Sequence, residues 1–367
     1  MMQPQEENVF QDSVGIPFVL MRGGTSKGVF LHAADVEPYA DCLDDLLLSI
    51  MGSPDPMQID GLGGTYSSTS KVVIVRAVGD QIHYRFAQVG VERAVVDWSG
   101  NCGNLTTAVA PFAIDEGLVP ITGGRMQVPL FNENTDVSIE AELFTSNGRA
   151  AVKGEQIVPG VPGSGSPITT RYLDPAISGR ALPTGRAMDV LVVDGEHIPC
   201  SIVAVTHPYV LVDLAVLGGK LAVDEIDGDI ALVEKVERIR TAAAHLLEES
   251  GLHADGGPGP TWPRIAMVGP GADDADLLAR SFSMGRPHRA LPMTAAMCIS
   301  AAARLHGTLV HAHAAVSGAS VRIRHPKGVV EVESLLDDKD GVASVGVTRT
   351  ARRIAAGVVY VDDLTRS

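Results

Sequence analysis

Four stretches of the sequence concentrate residue types that move protons or hold anions. The first is Arg22-Gly23-Gly24-Thr25-Ser26-Lys27-Gly28, where glycines beside two hydroxyls allow a tight turn whose N–H groups can converge on an anion. It is not a Walker A loop, because Lys27 precedes Gly28 and a strand rather than a helix follows. A carboxylate site and a plain glycine hairpin both satisfy the pattern. The second runs from Asp60 to Lys71, including Ser67 and Ser68, and feeds straight into the apolar run Val72 to Val75. A lysine at the mouth of such a strand is partly desolvated, which disfavours its charged form and makes a general base of it. An ordinary strand-end lysine is the plainer reading.

The third stretch is Ser99-Gly100-Asn101-Cys102-Gly103-Asn104. A cysteine at the first turn of a helix meets unpaired N–H groups and the positive end of the helix dipole, which favour a thiolate and can also hold a carboxylate or enolate. The alternative is a buried structural thiol. The fourth, Pro292-Met293-Thr294, sits at a comparable helix start but carries no titratable group, so it could hold an anion only through its backbone and Thr294. Arg286, His288, Arg289 and His207 are further candidate carboxylate partners, and Cys298 reads as core. His311 and His313 alternate on an expected strand, Thr308 to His313, with no third ligand, so no metal site is assigned.

The elements that must position these groups are mostly strands. With 39 glycines and 22 prolines in 367 residues, the chain is punctuated into short β-rich runs. The expected strands are Pro17–Met21, Gly28–His32, Lys71–Val78, Gln81–Gln88, Arg93–Trp98, Arg125–Leu130, Val137–Phe144, Met188–Val193, Ser201–Val205, Tyr209–Val212, Val321–His325, Val329–Val332, Val345–Thr350 and a closing Val358–Asp362. Amphipathic helices are expected at Asp41–Met51 and Asp229–Glu249. Two others, Gly103–Asp115 and Thr294–Leu305, are Ala- and Thr-rich with almost no charge, the pattern of a helix surrounded on all sides. They start about half a chain apart, which points to a duplicated architecture with a boundary near residue 185 and with the Gly/Pro/Ser-rich run Val158–Pro167 and the segment Ser178–Gly185 as candidate linkers. Gly251–Pro263 reads as a surface excursion.

Length predicts two domains. The formal charge of −15, from 29 basic and 44 acidic residues, opposes nucleic acid and anionic membranes as partners. No stretch without a charged residue is longer than Leu305 to Val321, which is too short and too polar for a membrane span. Met1 to Phe10 has no signal-peptide pattern, and four scattered cysteines form neither a zinc motif nor a disulfide framework. A cytoplasmic location is expected.

Taken together, R-G-G-T-S-K-G, Q-I-D-G-L-G-G with S-S-T-S-K, N-C-G-N, L-P-T-G at 182–185 and R-T-A-R-R-I from 349 resemble the PrpF family over Pro17 to Val361. That family includes methylaconitate isomerase, methylitaconate isomerase and 4-oxalomesaconate tautomerase. The resemblance implies an α+β, diaminopimelate-epimerase-like fold: two similar domains, 1–185 and 186–354, each a β-barrel-like sheet round a central helix, with the strand at about 355–367 returning to the first. The active site would lie between the domains. It implies a cofactor-independent 1,3-allylic proton shift in an unsaturated di- or tricarboxylic acid, with no metal. Lys71 would be the acid/base residue, Cys102 a second proton-handling group and Ser26 a polar contact. Arg22, Thr25, Ser67, Ser68, Gly103, Asn104, His288, Met293 and Thr294 would bind substrate. Where diaminopimelate epimerases place a second cysteine this chain has Pro292 or Met293, which argues against a two-thiol racemase. A non-catalytic tricarboxylate-binding or accessory protein for an iron–sulfur dehydratase is the alternative, and a homodimer is the expected assembly.

Overall fold

The computed structural model describes residues 13–98, 100–253, 262–272, 274–283, 285–314, 316, 318, 320–338 and 341–362. The N-terminal stretch read for a signal, Ser99 of the third motif and most of the Gly251–Pro263 excursion lie outside them. The described residues form two compact units. One takes in those up to Thr170 and those from Arg349 onward; the other is Arg171–Thr348. The segment 178–185 therefore lies inside the second unit.

The first unit is built on strands β1 (Ser13–Gly23), β2 (Ser26–His32), β3 (Lys71–Val78), β4 (Gln81–Val89), β5 (Arg125–Asn132) and β6 (Val137–Ser146). Their pairings run antiparallel β1–β2, parallel β2–β3, antiparallel β3–β4, parallel β4–β5 and antiparallel β5–β6. The strand Ala351–Asp362 pairs antiparallel along the free side of β1, from Ser13 opposite Asp362 to Gly23 opposite Ala351.

Helix α1 (Leu43–Met51) lies between β2 and β3 in the chain. Its Leu46, Leu47 and Ile50 share a core with Val29, Leu31, Val72 and Ile74 from one face of the sheet. The other face wraps helix α2 (Gly103–Asp115), in which every residue from Leu105 to Ile114 is buried. Because side chains alternate along a strand, Lys71 shares the face of Val73 and Val75 rather than that of Val72 and Ile74. A strand covered on both sides needs apolar residues in succession, which is why β3 reads as an unbroken run. Phe30 of β2 meets Phe112 of α2 with ring centroids 5.4 Å apart.

The second unit repeats this order. Strands β7 (Glu196–Val205), β8 (His207–Asp213), β9 (Arg264–Pro270), β10 (Leu277–Ser283), β11 (Ser320–His325) and β12 (Gly328–Leu336) pair antiparallel, parallel, antiparallel, parallel, antiparallel. Helix α3 (Ile230–Glu249) occupies the place of α1 and packs Val236, Ile239, Ala243 and Leu247 into the outer core. Helix α4 (Met293–Arg304) occupies that of α2 and is buried from Ala295 to Ala303.

Several expected elements change. Leu309–His313 is a short helix capped by the Thr308 hydroxyl, which accepts from the His311 N–H, and not a strand. Of Arg93–Trp98 only Val96–Asp97 pairs, because Val95 closes a turn back onto Gly90. The strands Ile168–Leu173, β9 and β10 were not anticipated. No helix among the described residues is long and apolar enough to cross a membrane.

Candidate active site

The glycine-rich stretch is the two-residue hairpin joining β1 to β2: Gly23 pairs with Ser26 across Gly24 and Thr25, and Gly24 takes φ +48°. The glycines serve close approach. A Cβ at Gly23 would stand 2.2 Å from the Asn104 carbonyl oxygen, and one at Gly24 would stand 2.1 Å from its side-chain oxygen. The hairpin therefore lies directly on the first turn of α2, where the Asn104 amide donates to Thr25 Oγ1 at 3.1 Å. Arg22 does not point to a ligand through Nη1: that group donates to the carbonyls of Gly24 (3.0 Å) and Thr350 (2.8 Å) and braces the turn.

Cys102 is the N-cap of α2, with extended backbone and no side-chain cap bond. Its thiol lies half-buried 3.8 Å from Oγ of Ser26, itself buried at the head of β2. No acceptor among the described residues meets the N–H groups of Gly103 or Asn104, so two donors at the positive end of the helix stand beside the thiol. Behind them a polar chain fixes the cap. Tyr84 and Thr106 hydroxyls meet at 2.9 Å, and Asn101 donates to Tyr84 at 3.0 Å and accepts from Thr106 at 3.2 Å.

Lys71 opens β3 with its side chain 8% exposed. Its ammonium or amine nitrogen donates to Gln88 Oε1, directly opposite on β4, and lies 5.0 Å from the Phe86 ring centroid. The Gln88 amide is itself oriented, since its Nε2 donates to the carbonyls of Ser67 (3.1 Å) and Ser70 (2.8 Å). No carboxylate among the described residues pairs with Lys71. The strand and the helix start meet at Gly28, where a Cβ would stand 2.6 Å from Leu105 Cδ1 and 3.0 Å from the Lys71 carbonyl.

The loop ahead of Lys71 is organised by the buried Gln58. Its amide donates to Ser53 Oγ (2.9 Å) and Ser70 Oγ (2.7 Å) and accepts from the Thr65 N–H (3.0 Å). Ser67 and Ser68 are exposed, and the Ser68 carbonyl accepts from the Lys27 N–H, tying this loop to the glycine hairpin. Sequence reasoning missed Gln58 and Gln88. The signal for Gln88 was present: a two-residue Gly79-Asp80 turn between two strands fixes the register that puts residue 88 opposite residue 71.

Met293, Thr294 and His288 lie in the second unit, at the start of α4 and ahead of it. Pro292 is the N-cap, in the place of Cys102. Thr294 Oγ1 meets the Tyr209 hydroxyl at 3.0 Å and accepts from Arg264 Nη1 at 2.9 Å. His288 Nδ1 accepts from the Ala290 N–H, and burial, with a smaller contribution from Arg264, holds this imidazole below its ordinary pKa. Arg286 and Arg289 are exposed. Cys298 is buried against the Val203 carbonyl at 3.4 Å, and burial pushes its thiol far up, as expected of core. No cluster of metal-ligating residues occurs among the described residues.

Two units of like topology, each folding a sheet round a buried helix, define the α+β, diaminopimelate-epimerase-like fold. A hydroxyproline epimerase from Agrobacterium vitis shares it at a TM-score of 0.56 and 11% identity, over 97% of this chain and 95% of that one. Within that fold the chain belongs to the PrpF family, whose model, described as PrpF protein, matches residues 13–362. It is 37% identical to the 3-methylitaconate isomerase of Eubacterium barkeri, over 96% of this chain and 98% of that protein. It is 36% identical to the (4E)-oxalomesaconate Delta-isomerase of Novosphingobium sp. strain KA1, over 94% and 97%. The crystal structure of a methylitaconate-delta-isomerase superposes with a TM-score of 0.85 at 37% identity, covering 96% of this chain and 97% of that one.

Proposed function

We propose that Lys71 carries the proton in a 1,3-allylic shift of an unsaturated di- or tricarboxylic acid, with Cys102, Ser26 and the first turn of α2 completing the site. Membership of the PrpF family makes the chain an isomerase; the residue roles and the particular acid are our reading. The observation that carries it is the environment of Lys71. A buried lysine kept for structure is ordinarily paired with a carboxylate, because an unpaired buried ammonium is costly. Here the sole hydrogen-bond partner among the described residues is a neutral amide oxygen. That partner orients the nitrogen and brings no negative charge to it.

The chemistry follows from that geometry. The neutral amine of Lys71 takes the proton from the carbon between alkene and carboxylate, and the electron pair spreads over the allylic system into the carboxylate. The free N–H groups of Gly103 and Asn104 face the anion that develops, a fixed positive potential needing no reorganisation. The ammonium of Lys71 then returns the proton at the far carbon, with Cys102 assisting, and the double bond has moved. The ligand is a small polycarboxylate, and the cytoplasm is the compartment we assign.

Proton NMR in D2O with methylitaconate, methylaconitate and 4-oxalomesaconate tests this. Migration or deuterium uptake with one acid, slowed about 10²- to 10⁴-fold in Lys71→Ala, is the expected outcome. Full activity in Lys71→Ala would remove the lysine from the mechanism.

A further inference from the structure

Arg264 is the topological counterpart of Lys71. It opens β9 as Lys71 opens β3, and β9 runs parallel to β8 as β3 does to β2. Tyr209 pairs with Arg264 in the second unit, where Gly28 packs on Lys71 in the first. Thr294, in the first turn of α4, holds the place of Asn104, and Pro292 that of Cys102. The repeat thus preserves the architecture of a site while changing its chemistry: neither substitute, Arg264 nor Pro292, can exchange a proton with a carbon acid at neutral pH.

What replaces them is a fixed cation. Arg264 is half-buried, it donates to Thr294 Oγ1 at 2.9 Å, and no carboxylate among the described residues pairs with it. Thr294 is in turn met by the buried Tyr209 hydroxyl at 3.0 Å. Since His288 Nδ1 accepts from the Ala290 N–H, the neutral ring carries its proton on Nε2 and is a donor there. In a chain of net charge −15, a half-buried guanidinium whose acceptors among the described residues are the hydroxyls of Thr294 and Tyr209 keeps its full charge unneutralised and is fitted to bind an anion, and its planar fork matches a carboxylate.

We propose that Arg264 binds a substrate carboxylate, oriented by Thr294 and Tyr209. The proposal rests on the substrate being a polycarboxylate.

The test compares wild type with Arg264→Met and Arg264→Lys in two measurements. Calorimetric binding of propane-1,2,3-tricarboxylate, which has no double bond to move, reports recognition without turnover. Steady-state kinetics with whichever unsaturated acid turns over report catalysis. Arg264→Met is expected to weaken tricarboxylate binding and raise KM roughly 10- to 150-fold with a much smaller change in kcat, and Arg264→Lys to recover part of the loss. Unchanged tricarboxylate affinity in a folded Arg264→Met protein overturns the proposal, as does a fall in kcat alone. If Arg264→Met does not fold, the same affinity comparison with Arg264→Lys decides. Loss of binding in the variant when no acid turns over even in wild type would sink the isomerase reading and leave the carboxylate site standing.

Discussion

At the scale of single residues, the hydrogen-bond partner of Lys71 among the described residues is Gln88. Gln88 supplies an acceptor without a charge, and its own amide is locked by the carbonyls of Ser67 and Ser70. Gln88→Glu changes little in volume but sets a carboxylate against the amine and holds it as ammonium. The expected result is a fall in kcat of about 10²-fold or more at neutral pH, read from the rate of allylic deuterium exchange. Gln88→Ala, which only loosens the nitrogen, should cost roughly tenfold. Equal rates in the two variants would mean that the charge of this neighbour is irrelevant. Lys71 was visible in the sequence because an abrupt apolar run begins after it. Gln88 and Gln58 were not singled out, since an isolated glutamine has no pattern of its own and acquires meaning only through register or a folded loop. Arg264 was missed with the strand it heads: β9 follows the Gly- and Pro-rich Gly251–Pro263 and offers only Ile265 to Val268 as an apolar run.

At the scale of elements, the central helices were the most legible parts of the chain. The uncharged run from Gly103 to Ile114, closed by Asp115, set both ends of α2 to the residue, whereas Leu309–His313, at five residues, is too short for a 3.6-residue period to show. The start of α2 depends on glycine contacts that leave no room for a methyl group. Gly23→Ala would push a Cβ to 2.2 Å from a backbone oxygen of the helix, so either the hairpin or the helix end must move. A loss of about 1–3 kcal/mol should appear as a lower melting temperature. Gly79→Ala, in the other hairpin and with open space at its Cβ, should lose only about 1 kcal/mol, from its left-handed φ of +61°.

The opposite end of α2 carries a charge device. Glu116, the C-cap, meets Arg353 of the closing strand and His32 at the end of β2. Burial works against its ionised form, but the bonds from Arg353 and His32 outweigh it and hold the carboxyl below its ordinary 4.5. A depressed folded value contributes stability that is present above the unfolded value and lost as pH falls through the folded one. Glu116→Gln should therefore lower stability by about 1 kcal/mol at neutral pH, with the difference from wild type closing below about pH 4. Chemical denaturation at pH 7 and pH 3 measures both, and a difference that grows on acidification would contradict the assignment.

At the scale of the whole molecule, the duplication was readable from two uncharged helices half a chain apart, while the sense of each strand pairing was not, because parallel and antiparallel neighbours draw on similar apolar runs. The first unit is completed by a strand from beyond the second: Ala351–Asp362 covers the side of β1 left free by β2. Truncation after Thr350 should expose that edge and remove Arg353 from Glu116, giving a protein whose first unit melts early or aggregates while the second unfolds near its original temperature. Calorimetry resolves the two transitions, and an unaltered first transition would show the strand to be dispensable. The same arrangement sets an order of assembly on the ribosome. Residues 171–348 form a contiguous unit, whereas the unit that holds the earlier-made Lys71 and Cys102 includes the strand 351–362. The part of the protein that is synthesised first is thus the part whose sheet is completed last, since the partner of β1 is not made until translation has passed residue 362.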